Sequence, residues 1–217
     1  MQTFTNTAGS VIVDQLIQTI QENKQYLSDI DGLIGDGDHG INMNKGFTMC
    51  REELDKNPGD MTHGLSVLSK ILMMKIGGSI GPLYGKLFKA IALSLEGKAE
   101  IGINEMGDAL NAVVEAIASI SPAKVGDKTL IDTLVPAVAA YEKAQQQGKT
   151  FDEALETMKT AAREGRDSTR DMMARLGRAS RLGERSRGVL DAGATSCCLI
   201  LETIGNGAQK LIRINKT

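Results

Sequence analysis

The segment from Asp31 to Asn44 holds the densest group of residues that could do chemistry. Asp31, Asp36 and Asp38 place three carboxylates within eight residues. Carboxylates packed this closely repel one another unless a cation neutralises them or water separates them. Oxygen ligands of this kind suit Mg²⁺, which takes one or a few carboxylates together with phosphate oxygens and water. The spacing therefore predicts a magnesium site, and a solvated acidic turn without an ion is the alternative.

Three known glycine-rich or acidic motifs do not account for this region. Gly35, Gly37 and Gly40 have the spacing GxGxxG, but no hydrophobic strand precedes them, and the aspartates would repel a pyrophosphate without a metal. An EF-hand would need Asp or Asn at position 40 and a closing Glu. Gly85-Lys86 is the nearest approach to a P-loop, but Ile80 stands where its first glycine should be. Any nucleotide must therefore be bound without a P-loop.

The residues that follow the aspartates offer groups that could bind a phosphate. Residues 40–44 can open a helix, and the free N–H groups at a helix N-terminus bind anions. His39 lies next to Asp38, so we expect its ring to hydrogen-bond a phosphate or a ligating carboxylate.

The elements that must position these residues are helices. Apolar side chains recur at i, i+3 and i+4 through most of the chain, and Thr150 followed by Glu153 predicts a capping box. We find no period-2 strand, heptad run or internal repeat. The pattern predicts one all-α domain, residues 1–217, with about seven or eight helices. The periodic segments are 13–20, 65–76, 83–91, 103–120, 129–146, 151–175 and 195–212.

Glycine and polar residues gather in four loops, at 31–40, 77–85, 121–129 and 177–195. Glycine often ends helices, so one explanation is that these loops only terminate helices. Most of them, however, carry several glycines mixed with Asp, Ser, Thr or Arg. Because glycine lets backbone N–H groups approach a phosphate closely, the four loops are also the candidate ligand-binding loops.

Composition limits the classes of protein to consider. The 217 residues carry a net charge of -2, so we expect no nucleic acid as a direct partner. No apolar run reaches the roughly 20 residues of a membrane span, and the N-terminus has no signal-peptide pattern, so we expect a cytoplasmic protein without a membrane partner. The three cysteines, at positions 50, 197 and 198, favour a reducing compartment.

The acidic segment and five later motifs resemble the nucleotide-binding L subunit of bacterial dihydroxyacetone kinases, and the resemblance covers essentially the whole chain. The segment Ile34 to Asn44 reads Ile-Gly-Asp-Gly-Asp-His-Gly-Ile-Asn-Met-Asn. The later motifs follow in the family's order: Gly77 to Gly85, Gly126 to Thr129, Gly177 to Ser180, Leu182 to Ser186 and Asp191 to Ser196.

The resemblance implies a barrel of about eight antiparallel helices, with ADP or ATP and two Mg²⁺ ions held by the loops at one end. Asp31, Asp36 and Asp38 would be the Mg²⁺ ligands. The nucleotide contacts carried over from the family are His39, Gly40, Ile41, Asn42, Ser79, Ile80, Ser121, Leu130, Arg178, Asp191, Ala192 and Gly193.

Three positions depart from the family's usual residues: Ile80 in place of a small hydroxyl residue, Ser121 in place of glycine, and Ala192 in place of proline. They hint at a paralogue that acts on a related small ketose, such as a four-carbon one. No residue is an evident base for a sugar hydroxyl, and the resemblance implies that the substrate is held on a separate subunit, so the chain should be inactive alone.

The resemblance also implies partners. A separate K subunit would bind the substrate covalently through a histidine. The nucleotide would either exchange as ATP, or stay bound as ADP and be recharged by a phosphohistidine protein of the phosphotransferase system. A subunit of an ordinary ATP-dependent kinase, a relative of the fatty-acid kinases and a nucleotide-loaded partner of a transcription regulator are the alternatives.

Overall fold

The structure is a computed structural model and describes residues 2–215. Nine α-helices make up most of this part of the chain, so the all-α class is confirmed. They are α1 (Ser10–Glu22), α2 (Lys24–Ile34), α3 (His39–Lys56), α4 (Met61–Lys75), α5 (Ile80–Leu95), α6 (Ile103–Ala118), α7 (Ile131–Gln146), α8 (Phe151–Ser168) and α9 (Ala192–Ile214).

Three details differ from the sequence-based expectation. Helix α2 was not expected, and only Asn23 separates it from α1, which brings the number of helices in residues 2–215 to nine. Two strands of two residues each, β1 (Phe4–Thr5) and β2 (Glu100–Ile101), pair antiparallel and are too short to show a period-2 pattern. Helix α8 ends at Ser168, not near 175, and 3₁₀ turns at Thr169–Asp171 and Arg178–Ser186 follow.

One continuous apolar core runs through the helices. Each helix from α3 to α9 packs against the next along the chain, and α1 contacts α9, α3 and α4, so the path of packed helices closes on itself. Leu16 and Leu134 are fully buried, and the rings of Phe47 and Phe88 join α3 to α5 with their centroids 5.8 Å apart. The antiparallel barrel itself stays a prediction.

Polar contacts fix the helix ends and one helix pair. The capping box is present: the N–H of Thr150 donates to Glu153 at 2.8 Å, and the N–H of Glu153 donates to the Thr150 hydroxyl at 3.3 Å. Between α8 and α9 the buried Lys159 Nζ bonds Gln209 at 2.7 Å and Asn206 at 2.8 Å, and pairs with Glu156 at 2.6 Å. This lysine therefore ties two helices together far along the chain from the acidic segment.

None of the helices between residues 2 and 215 combines the length and the apolar character needed to cross a lipid bilayer.

Helix α8 packs closely against the backbone of α7 at Gly165, and this contact predicts a stability effect. Pro136 removes the N–H that would bond the Asp132 carbonyl within α7. A Cβ atom built on Gly165 would lie 2.2 Å from that carbonyl oxygen. We expect Gly165→Ala to lower the free energy of unfolding by about 1–3 kcal/mol, because backbone atoms on both helices would have to move apart.

The control for this prediction is Gly107→Ala in α6. There the added Cβ would lie 2.9 Å from the end of the flexible Gln145 side chain, which can move aside. Alanine also favours a helix over glycine by roughly 0.5–1 kcal/mol. Urea denaturation should therefore show Gly107→Ala equal to or more stable than the unchanged chain, and equal losses in the two variants would contradict the packing argument.

Candidate functional site

All four glycine-containing loops meet at one end of the helical bundle, where they surround a cavity of about 520 Å³. This volume lies within the range of small-molecule sites. The walls come from the α2–α3, α4–α5, α6–α7 and α8–α9 connections and from the helix turns next to them. The loops that glycine marked in the sequence are therefore the loops that build the cavity.

Three carboxylates stand together in the cavity wall. Asp31 lies in the last turn of α2, Asp36 in the loop that follows, and Asp38 just before α3. One oxygen from each of the three lies within 4.8 Å of the others. Burial and the neighbouring charge of Asp36 raise the pKa of Asp38 above its usual value. A set of oxygen donors that repel one another in this way suits a hard divalent cation such as Mg²⁺.

Arg178 brings a positive charge to this group from across the cavity. Its guanidinium pairs with Asp36 at 2.5 Å, and its side chain is 70% exposed. Arg178 belongs to the α8–α9 connection, residues 169–191. The ion pair therefore joins that connection to the loop that carries the carboxylates.

His39 begins α3 and links three helices. Its backbone N–H bonds Asp31 Oδ2 at 3.3 Å, while its ring Nε2 lies 2.9 Å from Ser196 Oγ in α9. The hydroxyl of Tyr84, from α5, bonds the same Ser196 oxygen and donates to the Gly193 carbonyl at 3.1 Å. Burial lowers the pKa of His39 to about 4, partly offset by Asp31, so the ring is neutral at pH 7.

The His39 ring was expected to bond a phosphate or a carboxylate. In the structure the backbone N–H of His39 bonds the Asp31 carboxylate, and the ring bonds the Ser196 hydroxyl. Tyr84 and Ser196 were missed from the sequence, because a tyrosine and a serine at helical spacing resemble ordinary helix residues.

The α6–α7 connection is closed by a buried carboxylate. Asp132 accepts bonds from the N–H of Gly126 at 2.5 Å and of Thr129 at 2.7 Å. Asp132 is 1% exposed, so these bonds hold the turn that precedes α7. The turn places Lys128 and Leu130 in the cavity wall.

Asp191 caps α9 at the back of the cavity. Its Oδ2 accepts the N–H of Ala194 at 2.7 Å, and its own N–H donates to Thr169 Oγ1 at 3.0 Å. Burial raises the pKa of Asp191 to about 6, against the opposing effects of the Ala194 N–H and the Lys128 charge. Ionisation of the Asp191 carboxylate is therefore less favourable in the folded chain than in water.

Thirteen of the fifteen site residues predicted from the sequence line the cavity, and Gly40 and Ile41 do not. Gly40 is buried against α2, where a Cβ atom would lie 1.9 Å from the Lys24 carbonyl oxygen, and Ile41 is 52% exposed on the outside of α3. Glycine at 40 thus serves helix packing. The thirteen are Asp31, Asp36, Asp38, His39, Asn42, Ser79, Ile80, Ser121, Leu130, Arg178, Asp191, Ala192 and Gly193.

The three departures from the family pattern have local explanations. The Ile80 side chain packs into the main core, so this residue offers a ligand only its backbone. The Ser121 hydroxyl accepts the N–H of Ala123 at 3.3 Å and closes a turn. Ala192 packs against Ile30 and Leu190.

Further lining residues lie beside the predicted ones. Most of them belong to the glycine-rich loops or to the family motifs, but none was named as a site residue. Lys128 is one of them: a lysine in a loop is usually solvated, although the structure buries this one. The additional residues are Ile34, Gly35, Gly77, Gly78, Leu83, Tyr84, Ala123, Lys128, Thr129, Leu176, Gly177 and Ala179.

Comparison with known proteins places this geometry in a family. The model of the DAK2 domain matches residues 33–206. The Lactococcus lactis PTS-dependent dihydroxyacetone kinase, ADP-binding subunit DhaL, is 36% identical over 188 residues, which cover 86% of this chain and 90% of that protein. The L-erythrulose 1-kinase of Mycolicibacterium smegmatis is 32% identical over 200 residues, covering 89% of this chain and 34% of that enzyme.

A solved structure shares the fold. The dihydroxyacetone kinase from C. freundii in complex with AMP-PNP and Mg²⁺ superposes with a TM-score of 0.65 at 22% identity, over 95% of this chain. This chain spans about a third of that kinase chain, 35%.

The raised pKa of Asp191 predicts how stability depends on pH. The folded chain holds the Asp191 proton more tightly than the unfolded chain, so stability falls as the pH rises from about 4 through 6. Asn can still accept the Ala194 N–H. We therefore expect Asp191→Asn to gain roughly 2 kcal/mol relative to the unchanged chain between pH 4 and pH 7.5. Urea denaturation at both pH values measures this difference, and parallel pH profiles would contradict it.

Proposed function

The chain belongs to the DAK2 domain family, and from that membership we propose that it is the ADP-binding subunit of a dihydroxyacetone kinase. The observation that carries the proposal is the group of three carboxylates, with oxygens within 4.8 Å, in the wall of a cavity of nucleotide-compatible size. The Lactococcus lactis relative, an ADP-binding subunit of a dihydroxyacetone kinase, supports the proposal.

The residues of the cavity fit a magnesium nucleotide. Asp31, Asp36 and Asp38 would hold Mg²⁺, two ions in our proposal, through carboxylate oxygens. The first turns of α3 and α5 have N–H groups without partners inside the helix, and such groups bind phosphate. When bound, the magnesium nucleotide supplies the phosphoryl group, and the metal offsets the negative charge of its phosphates.

The other lining residues have positioning roles in this proposal. Arg178 can leave its ion pair with Asp36 and donate to phosphate oxygens instead, because an exposed ion pair is easily exchanged. Leu130 and Ser121 also line the cavity, and in this proposal they border the base and ribose, as the family resemblance implies. Neutral His39 holds the start of α3 through Ser196 without adding a charge beside the carboxylates.

We further propose that the nucleotide is a resident ADP, recharged by a phosphohistidine protein of the phosphotransferase system. The Lactococcus lactis relative is named as the ADP-binding subunit of a PTS-dependent kinase, and this supports the resident-ADP mode. A subunit that exchanges ATP is the alternative, and the carboxylate group would serve both modes equally.

The substrate would be held by a second subunit. Among the residues that line the cavity, the histidine ring is already bonded to Ser196, Asp31, Asp36 and Asp38 suit a cation, and the Asp191 carboxylate caps α9. None of them is therefore an evident base for a sugar hydroxyl. Turnover should therefore need a K-type subunit. A four-carbon ketose is a second candidate substrate, because an L-erythrulose 1-kinase is among the relatives.

The carboxylate group predicts the effect of neutral substitutions on nucleotide binding. Asp36→Asn and Asp38→Asn should each weaken binding of Mg-ADP more than tenfold, or about 1.4 kcal/mol, because the cation loses a charged ligand. Folding should be unaffected or slightly improved, since each change removes like-charge repulsion. Asp55→Asn, on the exposed surface of α3, is the control. Calorimetry that gives equal affinities for all four proteins would support the solvated acidic turn instead.

The supply mode has its own test. A resident ADP must leave slowly, so gently purified protein should release close to one ADP per chain when it is denatured and analysed by chromatography. In a separate sample of folded protein, added phosphohistidine protein should convert the bound ADP to ATP. Protein that is purified empty and exchanges ATP within seconds would indicate the ordinary ATP-dependent mode, with the carboxylate group unchanged.

A further inference from the structure

Lys128 has an unusual backbone conformation in the α6–α7 connection. Its φ is 62°, which makes it the one non-glycine residue with positive φ in the part of the chain that the structure describes. This left-handed conformation costs a residue with a side chain about 1 kcal/mol or more. Such a conformation persists where surrounding contacts fix it, so the contacts of Lys128 should explain it.

The Lys128 ammonium group is surrounded by backbone carbonyls. Nζ donates to the carbonyl oxygens of Ser186 at 2.6 Å, Val189 at 2.7 Å and Met172 at 3.2 Å. An ammonium group has three N–H donors, so this set uses them all. The side chain is 2% exposed, so these bonds form away from water, where an unmade one costs about 1–3 kcal/mol.

All three acceptors belong to the α8–α9 connection, and they come from both of its ends. Met172 precedes the residues that line the cavity, 176–179, while Ser186 and Val189 follow them. Other bonds at this base join the two ends of the connection to each other: the Arg187 guanidinium donates to the Asp171 carbonyl, the Gly188 N–H to the Arg170 carbonyl at 2.8 Å, and the Ala174 N–H to Ser186 Oγ at 2.8 Å. The Arg175 N–H donates to the Asp127 carbonyl of the turn at 3.1 Å. Among the residues that the structure describes, Lys128 is the one charged side chain that bonds both ends of the connection to the α6–α7 turn.

We propose that Lys128 is a positioning residue that fastens the α8–α9 connection over the cavity and thereby sets how slowly a bound nucleotide leaves. The nucleotide part of this inference rests on the proposed function, whereas the fastening itself does not. Breaking the three bonds would remove the charged attachment of both ends to the α6–α7 turn, so the residues at 176–179 would be held less firmly against a ligand.

Trypsin measures the fastening without any ligand, because the connection carries its own cleavage sites. Lys128→Met keeps an unbranched side chain, for which positive φ costs about the same as for lysine, but it removes the three donors. We expect cleavage within the connection to become at least tenfold faster, while cleavage after Lys98 and Lys149 in other loops stays unchanged. The sites within the connection are Arg170, Arg175, Arg178, Arg181, Arg185 and Arg187.

Lys159→Met is the matched control. Lys159 is also buried, at 5% exposure, and also has three oxygen partners, but it joins α8 to α9 away from the cavity. Its loss should leave cleavage in the α8–α9 connection at the original rate, even where the melting temperature falls. Equal acceleration in Lys128→Met and Lys159→Met, or in every loop of Lys128→Met, would overturn the proposal and leave Lys128 a general stabilising residue.

Nucleotide release supplies the second measurement. In Lys128→Met, dissociation of a fluorescent ADP analogue with Mg²⁺ should accelerate at least tenfold, whereas Lys159→Met should match the unchanged chain. In Lys128→Ala, millimolar propylammonium should restore slow release and protease resistance, because it replaces the missing part of the side chain. Fast cleavage with unchanged release would overturn the role in nucleotide retention.

These measurements separate the two proposals. If the unchanged chain binds no magnesium nucleotide, the proposed function fails, while trypsin still tests the fastening. If the unchanged chain binds it and Lys128→Met shows original rates of both cleavage and release, the Lys128 inference fails alone. Should Lys128→Met not fold, the same comparison is made with Lys128→Ala in the presence and absence of propylammonium.

Discussion

Three carboxylates lie at one end of the helical bundle with oxygens within 4.8 Å of one another, and the surrounding structure has to hold these like charges in place. Asp31 is fixed by α2, which anchors itself in the core through the fully buried Leu27. The close approach of α2 and α3 at Gly40 sets the span of the loop that carries the other two aspartates. Gly35 also keeps Asp31 in place, because a Cβ at position 35 would lie 2.5 Å from Asp31 Oδ1 and would displace it.

The neighbouring polar network supports this arrangement. The contacts of His39, Tyr84 and Ser196 bring the first turns of α3, α5 and α9 together at the cavity. Helix N-termini carry partial positive charge and attract anions. They therefore favour an anion next to the three carboxylates, which would repel it on their own. A neutral His39 fits this role, since it fixes positions by hydrogen bonds and leaves the balance of charge to a bound cation.

Helical periodicity predicted most of the helices, and clustered glycines predicted the loops that build the cavity, because both report directly on local structure. The individual nucleotide contacts came from the family resemblance. The exceptions have physical causes. The first turns of α2 are polar, so its apolar face was overlooked, and the paired strands are too short for any period. The pattern of α8 continued to 175 through Met172 and Met173, although the chain leaves the helix after Ser168. The burial of Lys128 depends on carbonyls more than 40 residues away, which no local pattern shows.

The α8–α9 connection combines one weak and one strong attachment, and the difference bears on function. Six arginines against two acidic residues give residues 170–187 a charge of +4, so the rest of the chain carries −6. Attraction between the two is screened by water at the surface, and the exposed pair of Arg178 with Asp36 contributes about 1 kcal/mol at most. The buried bonds of Lys128 are not screened in this way. The connection is therefore held at its base, which leaves Arg178 at its tip able to exchange a carboxylate for a phosphate while the residues beneath it keep their positions.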